Sequence, residues 1–141
     1  MSAGNVKRMR RFIEAFNTRD VERYLPFFDP AGEFRSAFAA VGGEVYHGHD
    51  GLRLYERDMQ DAWGAGLRIE PEAYFDLGER TLSFYVLRAR GKHSDVDVAM
   101  PIALVVKWRD GLIVYCKGYA HREGALEELG ISADELEPIP A

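Results

Sequence analysis

The sequence predicts an α+β domain in which helices come first and an antiparallel sheet follows. Apolar residues recur at helical spacing over residues 5–16 and 50–63. Strand-like runs separated by glycine-bearing turns then continue from residue 67 to residue 121. Helices followed by a run of strands are typical of α+β domains, in which the helices cover one face of the sheet.

Three helices and a short strand are expected in the first half of the chain. The first helix carries an apolar stripe that includes Met9, Phe12 and Phe16. The third follows a glycine-bearing loop, with Asp50 as its N-cap and Gly64 as its stop, because short polar side chains cap helix N-termini and glycine ends helices. The predicted ranges are helices over 5–16, 20–28 and 50–63, and a strand over 33–38.

Two hairpins and a closing helix are expected in the second half. Asp110-Gly111 between two apolar runs is a strong hairpin signal, since glycine supplies the positive φ that tight turns need. The acidic, proline-bearing tail over residues 131–141 is expected to fray. The predicted elements are strands over 67–77, 81–90, 96–108 and 112–121, and a helix over 122–129 that Gly130 ends.

Alternation along the strands predicts which residues share a face. Both faces of the last hairpin are apolar, whereas solvated strand faces are usually polar. The outer face is therefore expected to be buried in a homodimer, through a contact that includes Pro101, Tyr115 and Tyr119. On the predicted strand over 67–77, alternation groups Ile69, Ala73, Phe75 and Leu77 on one face. On the last strand it sets Ile113, Tyr115, Lys117, Tyr119 and His121 opposite Val114, Cys116, Gly118 and Ala120.

The composition argues against several classes of function. The chain has 141 residues, which suggests one domain, and 47% of them are hydrophobic. A net charge of −5, with both signs spread along the chain, argues against nucleic-acid binding, which needs a basic face. Cys116 is the only cysteine, so no disulfide is expected and the simplest home is a reducing cytoplasm. No segment has the pattern of a signal peptide or a membrane span.

The order and spacing of these motifs resemble the SnoaL-like branch of the nuclear-transport-factor-2-like superfamily. The resemblance is carried by RFIEAFNTRDVERY at 11–24, by the Tyr46, Gly48 and Gly51 entry to the third helix, and by WRDGLI and GYAHREGAL near the end. It covers residues 5–130 as one domain. It implies a strongly curved antiparallel sheet wrapped as a cone around the N-terminal helices. A mostly apolar pocket would open at one end, and the outer sheet face would form the dimer.

Ketosteroid isomerases share this fold, but their functional groups are missing here. They use a Tyr on the first helix, an Asp base on the first strand and a protonated Asp on the strand before the final turn. The matching positions are Phe12, Arg35 and Leu104. Leu104 also weakens the transfer of the acidic residue of SnoaL-like polyketide cyclases. The Asp-Arg-Asp arrangement of the limonene-epoxide-hydrolase relatives has no match.

The resemblance and the missing acid and base together favour a small-molecule-binding protein whose specific activity is unassigned. Arg35 is expected to point into the pocket, because the family places this strand residue there. A buried guanidinium must be paired, so Arg35 would either hold an anionic ligand group such as a carboxylate or pair with Glu14, Glu56 or Asp58. The remaining alternative is a side chain that reaches out at the mouth of the cone. The expected ligand-binding residues are Phe12, Arg35, Tyr55, Met59, Trp63, Leu104, Cys116, Gly118 and Ala120.

The alternative hypothesis is an enzyme of the cyclase, isomerase or hydrolase type with a non-standard acid/base set. A protein-interaction module is ranked below both, because the sequence shows no apolar groove beyond the dimer face. His47, His49 and Asp50 are close in sequence, but a loop entering a helix is a poor frame for a metal, so no metal and no cofactor is expected. The candidate acid/base residues are Arg35, His93, Asp97, His121 and Tyr55.

Overall fold

The computed structural model describes residues 2–37, 45–90 and 97–140. Within these residues, seven strands form one curved, unclosed sheet in the order β2-β1-β6-β5-β4-β3-β7. The α+β class is confirmed, and the sheet is mixed because β1 pairs parallel to β6. The helices are α1 (Ser2–Asn17), α2 (Val21–Tyr24), α3 (Gly48–Trp63) and α4 (Arg122–Leu129), and the strands are β1 (Phe28–Arg35), β2 (Tyr46–His47), β3 (Arg68–Leu77), β4 (Arg80–Arg90), β5 (Asp97–Arg109), β6 (Leu112–Tyr119) and β7 (Ile139–Pro140).

The first helix packs its predicted apolar stripe against the inner face of the sheet. Its stripe residues Met9, Phe12 and Phe16 are all buried in the main core cluster. The helix ends at Asn17, whose side chain donates to the Ile69 carbonyl at 2.8 Å and accepts from the Ile69 amide at 2.9 Å. This two-way bond fixes the end of α1 to the start of β3.

The start of α3 differs from the prediction, whereas its end agrees. The helix begins at Gly48, so His47 occupies the N-cap position and makes no capping hydrogen bond. Asp50 lies in the first turn, where its carboxylate pairs with Arg53 at 3.1 Å, and the predicted N-cap is therefore wrong. The helix does end at Gly64, whose φ of 63° requires the conformational freedom of glycine.

Two bulges change the predicted faces of the strands. In β3 the register shifts between Pro71 and Ala73, so Ile69 faces inward while Ala73 and Phe75 face outward. The prediction that these residues share a face is therefore wrong. A second register shift lies in β6, opposite Lys107 and Trp108. It places Ile113 in the main core, on the opposite face of the sheet from Tyr115. One extra residue moves every later side chain to the other face, and strict alternation cannot anticipate it.

The last hairpin and the last helix follow the prediction closely. Asp110 and Gly111 both have positive φ, 54° and 80°, as a tight hairpin turn requires. The helix α4 spans Arg122–Leu129 and ends at Gly130 in the left-handed conformation. The chain thus turns back over the outer face of its own sheet.

The outer face of the sheet is partly covered by the same chain. A second apolar cluster joins outward residues of β3, β4 and β5 to α4 and the tail. The tail was expected to fray, but Ile139–Pro140 pairs with β3 as a seventh strand. Of the predicted dimer residues, Pro101 is exposed and Tyr115 and Tyr119 are half-buried. The cluster comprises Phe75, Leu82, Ala103, Val105 and Ala125, with Ala73, Leu77, Phe84, Tyr119, Leu126, Leu129 and Leu136 packed against it.

Candidate functional site

An apolar cavity lies between the inner face of the sheet and the two long helices. Its volume is about 40 Å³. Apolar cavities that hold a benzene molecule measure about 150 Å³, so this one is largely closed by its own walls. The wall comprises Phe12 and Phe16 from α1, Phe34, Ser36 and Ala37 from β1 and the residues after it, Tyr55 from α3, and Ile69, Leu87, Ile102, Leu104, Cys116 and Gly118 from the rest of the sheet.

Edge-to-face aromatic contacts hold two sides of the cavity. The ring of Phe12 meets the ring of Phe28 at a centroid distance of 5.4 Å and an interplanar angle of 72°. Phe34 meets Tyr55 at 4.5 Å and 86°. Such pairs add about 0.5–1.5 kcal/mol each to the free energy of burial and favour one arrangement of the rings. These wall positions are therefore well defined.

Two hydroxyl groups give the described wall its polar character. Burial raises the pKa of the Tyr55 phenol, and a hydrogen bond with Ser36 opposes part of that rise. Tyr55 is 6% exposed and Ser36 is 8% exposed. Both groups are neutral at pH 7, and each can exchange a hydrogen bond with a ligand. The wall therefore suits an apolar ligand with one polar atom near these hydroxyls.

Cys116 also lines the cavity, as a protonated thiol. Burial raises its pKa to about 12. Only the thiolate is a strong nucleophile, so this residue contributes apolar surface at neutral pH. The expectation that Cys116 is an inert buried thiol agrees with this environment.

Gly118 lies on the inner face as predicted, and a close backbone approach explains why it is glycine. A Cβ atom built on Gly118 would lie 2.7 Å from the backbone nitrogen of Ala37. The small residue therefore admits the Ala37 backbone in addition to lining the cavity. Ala120, the other small residue expected there, follows the end of β6, is half-buried and does not line the cavity.

Arg35 does not point into the cavity, so its predicted role as an anion anchor is wrong. Phe34 pairs with Cys116 and faces inward, which directs Arg35 to the outer face beside Lys117. There the Arg35 Nε donates to Glu33 at 2.7 Å, and 43% of the Arg35 side chain is exposed. Strand alternation produces this outcome, since adjacent residues face opposite ways.

The other acid/base candidates do not converge either. Asp97 pairs with Arg90 at 2.9 Å on the surface, and this partner lowers the pKa of the Asp97 carboxyl. His121 is exposed at the N-terminal end of α4. His93 lies outside the described residues. Acid/base chemistry requires groups within hydrogen-bonding reach of one reacting molecule, and of the described candidates neither Asp97 nor His121 lines the cavity beside Tyr55.

The expected pocket residues divide into those on the wall and those behind it. Met59 is buried in the core and Trp63 packs against that core, but neither lines the cavity. His49 Nε2 lies 2.9 Å from the Phe28 carbonyl oxygen. Among the described residues, no three His, Cys, Asp or Glu side chains form a group that could hold a metal ion. The expected residues that do line the cavity are Phe12, Tyr55, Leu104, Cys116 and Gly118.

Sequence reasoning missed a buried charged network behind the Phe16 and Tyr55 walls. The Arg19 Nη2 donates to Glu56 Oε2 at 2.6 Å, and the Tyr24 hydroxyl donates to Glu56 Oε1 at 2.6 Å. The Gln60 amide also donates to Glu56 Oε2, at 2.9 Å. A carboxylate on the buried stripe of α3, one residue after Tyr55, was the available signal. Nothing local marks Arg19, because its partner lies 37 positions away.

The SnoaL-like domain family matches residues 9–116 of the chain. No curated protein matches it. Among solved structures, a protein of unknown function with the nuclear-transport-factor-2-like fold from Burkholderia pseudomallei is 21% identical, with a TM-score of 0.75 over 87% of this chain and 95% of that one. TerC, co-crystallised with polyporic acid, is 18% identical, with a TM-score of 0.74 over 87% and 95%.

A third similar structure is a protein from Xanthomonas campestris that is provisionally named a polyketide cyclase. It is 16% identical, with a TM-score of 0.72 over 91% of this chain and 98% of that one. At these identities the likeness shows the fold, which includes the predicted cone around the N-terminal helices. None of the helices among the described residues is long and apolar enough to span a membrane.

Replacing Gly118 by Ala is expected to destabilise the protein. The added Cβ would meet the Ala37 backbone at 2.7 Å, so β1 and β6 must separate locally. Overpacking of this kind costs about 1–3 kcal/mol. Urea unfolding followed by circular dichroism measures the loss. Gly66→Ala is the matched control, because its added Cβ meets only ordinary contacts at 3.8 Å. Equal stabilities of the two variants would contradict the close approach.

Stability is expected to fall as the pH rises above 9, in part because of Cys116. Its thiol has a pKa of about 12 in the folded chain against 9.0 for the ordinary group. Above pH 9 the unfolded chain therefore binds fewer protons than the folded one. The free energy of unfolding then falls by about 1.4 kcal/mol per pH unit until the folded pKa is reached.

Urea unfolding at pH 8, 9 and 10 measures this slope in the wild type and in Cys116→Ala. The variant should show a shallower decline between pH 9 and 10, and the tyrosines, which also titrate near pH 10, are the same in both proteins and cancel in the comparison. An identical decline in both proteins would show that Cys116 ionises as easily in the folded chain as in the unfolded one.

Proposed function

The chain belongs to the SnoaL-like domain family, and from this we propose that it binds a small, mostly apolar molecule in the cavity between the helices and the sheet. One observation carries the proposal: ten of the twelve wall residues bear no hydroxyl, and the two that do, Ser36 and Tyr55, lie together. A few polar groups that fix orientation within an apolar wall are typical of small-molecule sites.

The positions that serve catalysis in ketosteroid isomerases support binding over that reaction. Phe12 and Leu104 supply apolar surface to the cavity, and Arg35 lies on the other face of the sheet. No base or protonated acid therefore stands at those three places. The family likeness gives the fold, and these residues favour a binding protein that holds its ligand through shape and apolar contact.

The ligand must displace part of the wall, because the cavity holds about 40 Å³. Leu104 is the natural side chain to move. It is 8% exposed and lies opposite Gly118 on β6, which has no side chain of its own to pack against it. A bound molecule would then replace the contacts that Leu104 makes with the wall. Affinity should consequently respond to the size of residue 104.

Binding can be tested with 4-fluorobenzamide, a small neutral aromatic probe observed by fluorine NMR. We expect saturable binding to the wild type and tighter binding to Leu104→Ala, which opens the cavity. Burying one additional methylene group of apolar surface is worth about 0.8 kcal/mol, which corresponds to a decrease in Kd of about fourfold.

Val105→Ala is the matched control, because Val105 is 3% exposed on the same strand but belongs to the outer cluster. It should lose stability while keeping the wild-type Kd. Absence of saturable binding in both the wild type and Leu104→Ala would overturn the proposal. Equal tightening in Leu104→Ala and Val105→Ala would place the probe outside the cavity.

We also infer that two copies of the chain pair through the part of the outer sheet face that α4 and the tail leave open. Pro101 is exposed there and Tyr115 is half-buried. Tyr119 is already engaged by its own chain, since its hydroxyl donates to Glu128 of α4. The contact would therefore use Pro101 and Tyr115, which lie on either side of Tyr119 along the paired strands β5 and β6.

Light scattering after size-exclusion chromatography is expected to give twice the 16.0 kDa of one chain. The double variant Pro101→Glu/Tyr115→Glu should halve that mass, because it brings like charges together across the contact. Leu54→Glu, which alters an exposed residue of α3, should leave the mass unchanged. A wild-type mass of one chain would contradict the dimer.

A further inference from the structure

Arg19 is a buried arginine held against the wall of the cavity. It lies two positions after Asn17, whose side chain is hydrogen-bonded to the backbone of the wall residue Ile69. Its own backbone has a φ of 60°, which non-glycine residues rarely adopt. The guanidinium lies 4.7 Å from the ring centroid of Phe16, another wall residue. The fold therefore places a positive charge directly against the wall residue Phe16.

Most of the hydrogen-bonding capacity of this guanidinium is unused. A guanidinium carries five N–H donors. Nη2 bonds to Glu56, whereas Nε and Nη1 are buried and have no hydrogen-bond partner among the described residues. Only 6% of the Arg19 side chain is exposed. Buried donors without acceptors are costly, so the arrangement favours an acceptor that arrives with a ligand.

Glu56 does not depend on Arg19 alone. Its carboxylate also accepts hydrogen bonds from Tyr24 and Gln60, which are both neutral. The next residue in sequence, Asp20, instead pairs with Arg23 at 3.6 Å and accepts from the backbone of Glu22. Arg19 meets Glu56 through one nitrogen and keeps donors for a second anion. A paired arginine with donors to spare can bind a carboxylate more readily than a fully bidentate pair can.

The positive charge also acts on the cavity wall itself. It favours the ionised form of Tyr55 and so opposes the rise in the pKa of that phenol, although burial remains the larger effect. The guanidinium therefore lies behind the end of the wall that Phe16 and Tyr55 form, and it is not itself one of the described lining residues. A ligand that displaces the Phe16 ring would bring its acidic group to the Tyr55 hydroxyl and the Arg19 donors together.

We propose that the ligand of this cavity is a small apolar acid whose carboxylate, or a similarly planar oxyanion, is received by the unpaired donors of Arg19. This inference rests on the proposed function and specifies the chemical class of the ligand. It moves the cationic anchor from Arg35, on the outer face, to Arg19, behind the inner wall. The apolar wall holds the hydrocarbon part, and Arg19 selects the charge.

The test compares 4-fluorobenzoate with 4-fluorobenzamide, which has nearly the same shape and no charge. Fluorine NMR titrations at pH 7 give a Kd for each probe. We expect the benzoate to bind about tenfold more tightly than the benzamide to the wild type, as a hydrogen bond between charged groups allows. If neither probe binds, the proposed function itself fails. If both bind equally, only the assignment of Arg19 fails.

Two variants shift the selectivity in opposite directions. Glu56→Gln removes the competing carboxylate but keeps an amide for Tyr24 and Gln60, so the benzoate should bind more tightly still. Arg19→Gln/Glu56→Gln removes both charges, and the preference for benzoate should disappear while the benzamide Kd stays the same. A purely structural arginine would leave the ratio of the two Kd values unchanged in both variants.

Arg23→Gln serves as the matched control, because Arg23 is an arginine of the same turn with 68% of its side chain exposed. It should keep the wild-type ratio of the two Kd values. Thermal unfolding of each variant verifies that it is folded. A lost preference in Arg23→Gln would assign the effect to general surface charge and overturn the proposal.

Discussion

The structure depends on a sheet with two apolar faces that one short chain must bury. The inner face packs against α1 and α3, and the outer face is partly covered by α4 and the tail. Apolar burial is the main favourable term in folding, so covering both faces determines where the chain turns. It also explains why the main core and the cavity share one side, while the last helix folds over the other.

Sequence patterns predicted the elements well and the direction of side chains less well. Periodicity and glycine signals located α1, the end of α3 at Gly64, the Asp110-Gly111 turn and α4. The bulges in β3 and β6 add one residue each, so alternation assigned Ile69 and Ile113 to the wrong groups. Pro71 was the one local signal for the bulge in β3, because proline inside a strand is typical of edges and bulges. Periodicity reports which residues are apolar, whereas a bulge depends on how two strands meet.

The candidate site was predicted where it is apolar and missed where it is charged. Phe12, Leu104 and Cys116 were expected to line the pocket from the family resemblance, and they do line the cavity. The charged group expected beside them was Arg35. In the structure its neighbour Phe34 faces inward, so Arg35 lies on the outer face of the sheet. Arg19 and Glu56 are distant in sequence, so their contact follows only from how α2 and the segment before it pack against α3.

An arginine buried beside an apolar cavity needs a reason, since desolvating a guanidinium is expensive. One reason is structural: Glu56 of α3 pairs with it and also accepts a hydrogen bond from Tyr24, which joins α3 to α2 and to the segment that follows α1. That reason accounts for one nitrogen and leaves Nε and Nη1 without acceptors. A pair serving stability alone would gain from a bidentate contact, or from replacement by apolar residues. The donors that remain at the wall are better explained by a ligand that brings its own anionic oxygen.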